Sequence, residues 1–266
     1  MDESYGARYA ELYRAHWWWR AREELLDRLL QRLLGARRAG ALRDAARASE
    51  PRGTSSDDLL DFGCGDGLFF PVLARYGTPH GIEPDARLLD PAGPWRDRIS
   101  TEPLTAEPTE TGRYRLIVAL DVLEHIEDPR PVVKELARRL APGGWFVATV
   151  PAFQSLWTAH DDLNHHVRRY RLRELETLVG EAGLEIVESR YFFTWLAMLK
   201  WLVARVERLV RPTSKPPTVP FGPFNAAALT VSRIEQRLLG DSHPAFGSSA
   251  LVVARSSLSR DAPPSP

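Results

Sequence analysis

The stretch Leu59-Leu60-Asp61-Phe62-Gly63-Cys64-Gly65-Asp66-Gly67 constrains the fold of this chain more than any other. A short apolar run ends in three glycines at alternate positions, and a second apolar run opens at Leu68. The first run reads as a buried strand. Glycine then permits a tight turn and a close backbone approach to a ligand. Leu68 to Tyr76 reads as a helix, with Pro71 in its first turn and Gly77 at its end.

The alternation continues along the chain. Strands are predicted over Pro79–Glu83, near Ile99, over Arg115–Leu120, Trp145–Val150, Leu184–Phe193 and Ala250–Ala254. Helices are predicted over Pro131–Leu140 and Leu172–Ala182, and Pro142-Gly143-Gly144 reads as a turn between elements. Strands alternating with helices imply crossover units and a mainly parallel sheet. Both faces of such a sheet are covered, which accounts for the uninterrupted apolar runs LIVAL and WFVATV. The last strand is expected beside Leu184–Phe193. At the N-terminus, residues 3–34 read as helical from the spacing of Leu25, Leu26, Leu29, Leu30, Leu33 and Leu34. Residues 35–57 read as a surface connection. Two further helices, over 195–211 and 224–239, flank a proline-rich loop.

The expected architecture is therefore α/β and doubly wound. It has a seven-stranded sheet, an antiparallel last strand, N-terminal helices and a helical insertion before the last strand. One domain covers 1–255: a helical cap over 1–40, a core over 55–190 and an insertion over 191–243. The Ser/Pro-rich end, 256–266, is set aside as a disordered tail. Composition narrows the functional classes. Lys and Arg total 35 against 35 Asp and Glu, so no broad field favours nucleic acid. The lone Cys64 permits no internal disulfide. No secretory pattern opens the chain, and no apolar run reaches the roughly 20 residues of a membrane span. Together these point to the cytoplasm.

About 20 residues beyond the glycine loop, Glu83 ends the second strand, where an acid can accept hydrogen bonds from both hydroxyls of a ribose. The glycine spacing differs from the G-x-G-x-x-G of dinucleotide sites, since the third glycine comes one residue early. With that acid in place, the chain resembles the class I S-adenosylmethionine-dependent methyltransferases, which have Rossmann-like sheets. DFGCGDG is similar to their first motif, IEPD to their second-strand acid, ALDVLEHIEDP to the segment after their fourth strand, and LAPGGWFVATVP to the turn into their fifth. The likeness covers about 55–190 and is nearest in character to bacterial ubiquinone-pathway O-methyltransferases. It implies a cofactor-binding set of Asp61, Phe62, Gly63, Cys64, Gly65, Gly67, Glu83, Pro84, Asp121 and Val122. Asp61 and the Gly63–Gly65 backbone would hold the methionine end of the cofactor, Glu83 its ribose, and Asp121 and Val122 would border the methyl group. The family's adenine-reading acid has no clear equivalent in Ile99–Leu104.

Methyl transfer to a hydroxyl needs alignment and removal of a proton. Where nitrogen methyltransferases often carry N/D-P-P-Y/F, this chain has Asp121-Val122-Leu123-Glu124-His125, which points to an oxygen acceptor, with carbon next. His125 and His165 are the candidate bases. His160, Asp161, His166, Arg168, Arg169 and Tyr170 form a dense cluster after the fifth strand, at the carboxyl edge where open α/β sheets bind ligands. Three readings of it stand: an acceptor site with an arginine gripping an anionic group, a metal site on His160, Asp161 and His165, or a network pinning the loop. No metal is assigned. Cys64 reads as a small buried hydrophobe.

The chain ends are aromatic. Trp17-Trp18-Trp19 cannot all face one side of a helix, so some pack inward while another meets a ligand, a partner or a membrane. Residues 191–210 are apolar nearly all round but carry Lys200, Arg205, Glu207 and Arg208. A buried cap, a homodimer face and a helix lying peripherally on the inner face of the membrane all fit. The expected partner is a small or lipid-linked acceptor, with no nucleic acid. The alternative from another class is a non-catalytic scaffold that binds S-adenosylmethionine or S-adenosylhomocysteine.

Overall fold

The computed structural model describes residues 10–35, 57–104, 111–210, 217–240 and 242–257. Residues 36–56 of the expected connection, residues 258–266 of the tail and the first nine residues of the helical cap lie outside these. Among the described residues seven strands form one sheet. They are β1 (Asp58–Phe62), β2 (Thr78–Ile82), β3 (Ile99–Ser100), β4 (Tyr114–Leu120), β5 (Leu140–Pro151), β6 (Glu185–Phe192) and β7 (Ser249–Arg255). Their order is β3-β2-β1-β4-β5-β7-β6. β7 runs antiparallel to both β5 and β6, and the remaining pairs are parallel. The last strand thus lies beside β6, as expected, and against β5 as well.

Helices flank the sheet: residues 10–15 form a short helical stretch, followed by α1 (Trp17–Leu30), α2 (Phe70–Leu73), α3 (Arg130–Arg139), α4 (Ala159–Leu163), α5 (Leu172–Glu181), α6 (Thr194–Val210) and α7 (Gly222–Leu239). Side-chain alternation along the strands divides the core in two. Leu59, Leu116, Val118, Val147 and Val253 face Leu25, Leu26, Leu29 and Leu30 of α1. Leu60, Ile117, Phe146 and Val252 face Val133 and Leu136 of α3 and Leu175 and Val179 of α5. β4 is buried at every position because both its faces are covered. Truncating any one of the four α1 leucines to Ala would cost about 2–5 kcal/mol.

The structure corrects three expected elements. The N-terminal helix is interrupted at His16, whose extended backbone caps α1 while its Nδ1 accepts from the Trp18 N–H at 3.1 Å. α2 is far shorter than the predicted Leu68–Tyr76. Gly67 holds φ at +71°, and a Cβ there would press on Phe70, so the turn runs on to Phe69 before helix begins. Pro142-Gly143-Gly144 does not separate two elements. β5 runs from Leu140 through this stretch as a bulge: Tyr114 pairs with Leu140, and Leu116 already pairs with Trp145.

The sheet order reverses between β1 and β4, and the crevice at such a switch point opens at the strands' carboxyl ends. Asp61 and Asp121 lie on its two sides.

Candidate active site

A cavity of about 1090 Å³ occupies this crevice. Its floor is the β1 loop. Gly63 donates its N–H to the Ile82 carbonyl at 2.8 Å, which folds the loop back over β2. Its φ is +73°, and a Cβ there would lie 2.4 Å from Val122 Cγ2, so glycine is required on two counts. Glu83 closes the floor from β2: Oε2 accepts the Gly65 N–H and Oε1 the Asp85 N–H, both at 3.0 Å. Each oxygen keeps a further lone pair for a ligand. Burial raises the Glu83 carboxyl above its ordinary range, with the two N–H groups opposing.

Asp61 lies deeper, 3% exposed. Burial pushes its carboxyl up to about 8, against the nearby Arg22 guanidinium and with Glu83 adding to the rise. The Cys64 thiol is driven far up by burial and donates to the Gly65 carbonyl at 3.3 Å, the behaviour of a small packed side chain. Phe62, Pro84, Asp121 and Val122 line the cavity with the loop, whereas Gly67 stands outside the wall.

Asp121 follows β4 with φ at +57°, a strained setting that Asp tolerates better than most residues. Its Oδ1 accepts from Thr149 Oγ1 at 3.2 Å, and its Oδ2 forms an ion pair with Arg22 of α1. Arg22 also lies over the Trp18 ring, 4.9 Å from its centroid. Sequence reading missed Arg22; the Trp18–Arg22 spacing of four on one helix was the available signal. Trp17 packs on Phe193 and Trp195, Trp19 packs with Leu12 and Tyr13, and Trp18 is the most open of the three. Helix α1 thereby walls the cavity.

The cluster after β5 divides into two kinds. Asp161, Arg169 and Tyr170 pin the loop. Arg169 clasps Asp161 through Nε and Nη2 at 2.8 and 2.9 Å, and its Nη1 donates to the Ala152 carbonyl at 3.1 Å. Asp161 also caps α4 by accepting the Thr158 N–H at 2.9 Å. Burial opposes its ionisation, but His166 and Arg169 hold its carboxyl well below the usual range. The Tyr170 hydroxyl donates to the Leu123 carbonyl at 3.0 Å, and burial raises it to about 12. Arg168 bonds the Glu127 carbonyl away from the cavity.

The second kind faces the cavity: His160, His165 and His166. Of the three open readings of the cluster, the metal one on His160, Asp161 and His165 finds Asp161 committed to Arg169 and His166, and His160 Nε2 to Asn164 at 3.0 Å. Among the described residues Glu124, His125 and His166 are the group whose donor atoms converge, within 4.8 Å of one another. His166 Nδ1 lies 2.8 Å from Asp161 Oδ1 and Nε2 lies 4.0 Å from Glu124 Oε1. Its ring meets that of His125 edge-on at 4.8 Å. Loss of water contact pulls His125 below the ordinary imidazole range. His165 sits at φ +56° on the cavity rim.

Two more residues escaped the sequence reading. Glu124 is buried at 1% exposure, its two oxygens have no hydrogen-bond donor among the described residues, and burial raises its carboxyl to about 8. Lys200 reaches the cavity from α6 with no hydrogen bond or ion pair among the described residues, and burial lowers it to about 8. A lone lysine on the apolar side of a helix was its signal.

Comparison with known proteins accords with this geometry. A family profile described as "Methyltransferase domain" matches residues 18–189. The chain is 31% identical over 135 residues to the mitochondrial ubiquinone biosynthesis O-methyltransferase of Candida albicans, covering 46% of this chain and 41% of that protein. It is 28% identical over 151 residues to the ubiquinone biosynthesis O-methyltransferase of Thiobacillus denitrificans, covering 49% and 65%. These matches thus span two thirds or less of the relatives' own length. Among solved structures, a complex of the Haloferax volcanii Trm112 methyltransferase activator with a methyltransferase superposes with a TM-score of 0.50 at 16% identity, covering 87% of this chain and 93% of that one, a likeness of fold alone. With the profile spanning well over half of the sequence, the chain belongs to the methyltransferase-domain family, of the class I S-adenosylmethionine-dependent type.

Proposed function

We propose that the chain methylates a hydroxyl of a small, hydrophobic or lipid-linked acceptor, and that His166 removes the hydroxyl proton. One observation carries the reading: Asp161 holds His166 by Nδ1 while Nε2 turns to the cavity beside Glu124. A carboxylate on one imidazole nitrogen fixes the tautomer, leaves the other nitrogen basic and stabilises the imidazolium that forms. Among the described residues no carboxylate hydrogen-bonds the His125 ring, and His165 is on the rim. The names of the relatives, ubiquinone biosynthesis O-methyltransferases, favour oxygen as the methylated atom.

S-adenosylmethionine, when bound, supplies a methyl group already activated by a sulfonium. The residues that would hold it fit its chemistry. The carboxylate of Glu83 matches a diol, Asp61 matches an ammonium group, and the Gly63–Gly65 backbone leaves room where side chains would intrude. Glu124 offers the acceptor two oxygens that have no internal donor. Arg168 and Arg169, expected to grip an anionic group, are committed to backbone and to Asp161, so Lys200 takes that role.

The test is turnover of His166→Gln with a catechol or phenolic acceptor panel. Loss of a general base lowers kcat by about 10²–10⁴-fold. S-adenosylmethionine affinity should hold. Unchanged kcat in a variant that binds cofactor normally would remove His166 from the role.

A further inference from the structure

Helices α6 and α7 are built inside out. Along α6, Leu196, Lys200, Ala204 and Glu207 recur on one stripe and face the protein. Leu196 and Lys200 line the cavity, Ala204 is buried, and Glu207 accepts the Ala159 N–H at 2.8 Å. The opposite stripe is Met198, Leu202, Val206 and Leu209, with Trp201 beside it, and all are exposed; Leu209 reaches 87%. The same inversion holds on α7. Asn225, Ser232, Glu235 and Gln236 turn inward. Asn225 accepts the Trp17 N–H at 2.9 Å, Ser232 accepts Trp195 Nε1–H at 3.2 Å, Glu235 accepts the Thr194 and Trp195 N–H groups, and Gln236 donates to the Ala21 carbonyl at 2.9 Å. Phe221, Phe224, Val231, Ile234 and Leu238 face solvent.

The inward polar bonds fix the orientation of both helices. Rotating either one to bury its apolar stripe would break the caps on α1, α4 and α6. Exposed apolar stripes of this kind mark an interaction surface. No helix among the described residues is long and apolar enough to cross a membrane.

We propose that this face seats the protein on an anionic membrane surface, with α6 and α7 lying in the interface plane. Charge decides the occupant. The chain as a whole is neutral, but the exposed charged side chains described on α6 and α7 are the cations Arg205 and Arg237, and Glu235 is taken up by the Thr194 and Trp195 N–H groups. Glu207 is turned inward on Ala159. Arg205 lies over the Trp201 ring, 4.3 Å from its centroid, joining an interface-seeking aromatic to a cation. An anionic leaflet attracts exposed cations of this kind. A second copy would bring these cations to the face and, among the described residues of the two helices, no exposed acid to meet them. Helix α6 carries this face on one side and lines the cavity with Leu196 and Lys200 on the other.

The test is flotation of the purified full chain with vesicles of phosphatidylcholine alone and of phosphatidylcholine mixed with phosphatidylglycerol, alongside sedimentation velocity without lipid. The expected result is flotation with the mixed vesicles, weakened by salt. The double change Leu202→Glu and Val206→Glu should cut partitioning by about tenfold or more, since each replaces apolar area that the bilayer would cover with a charge. Arg205→Glu should weaken binding to mixed vesicles with the apolar face left whole. Both variants should keep the parent's unfolding transition, because all three side chains are exposed. Absence of flotation overturns the proposal, as does equal flotation of the double variant. A concentration-dependent dimer that the double variant dissolves, without flotation, would assign the face to a second copy instead.

Discussion

Glu124→Gln separates the cost of a buried charge from everything else at the site. The Glu124 carboxyl is buried without a donor, and burial lifts it from 4.5 to about 8. Folding therefore takes up a proton near neutral pH. A group whose pKa is raised in the folded state contributes stability fully below its unfolded value and loses it as pH climbs through the folded one. The loss runs at about 1.4 kcal/mol per pH unit, or roughly 3–4 kcal/mol between about pH 5 and about pH 8. Glutamine keeps the shape and cannot ionise, so its own unsatisfied amide is a constant offset. Asp61, which burial also raises, is present in both proteins and drops out of the difference. The assay is urea denaturation of parent and variant across that range. The variant should gain on the parent steadily as pH rises. Parallel curves, or a gap that closes towards alkaline pH, would refute the buried, donor-free carboxyl.

Three further outcomes follow from the same geometry. Gly63→Ala forces a Cβ to 2.4 Å from Val122 Cγ2 at positive φ; urea melts should show a loss of about 1–3 kcal/mol, and calorimetry a collapse of cofactor binding. A cationic amine placed on Asp61 would expel the proton that burial holds there up to about 8. Cofactor affinity should then rise with pH up to that value, by at most about tenfold per unit, with proton release visible in buffers of different ionisation enthalpy. Lys200→Met should raise KM for acceptors bearing an acid group and leave KM for neutral acceptors unchanged in steady-state assays.

Strand and helix order was legible because strands covered on both faces must be apolar throughout, as Leu116–Leu120 is. Local backbone geometry was not. The positive φ at Gly67 delays α2, and the β5 bulge absorbs a glycine pair that reads as a turn. Helix α4 was invisible because Ala-His-Asp-Asp-Leu has no apolar period. At the site, the glycine loop and Glu83 were readable because their roles are local to one strand–turn–strand unit. Arg22 pairs with Asp121 across 99 positions, and no spacing rule reaches that far. The His-rich cluster was visible as a cluster, but which members point inward depends on the clasp between Asp161 and Arg169.

A crystal structure with S-adenosylhomocysteine bound tests the central assignment most directly. The ribose hydroxyls should donate to the Glu83 carboxylate, and the amino-acid end should lie over Gly63–Gly65 beside Asp61. A nucleoside seated elsewhere in the cavity, or Glu83 turned away from it, would contradict the account.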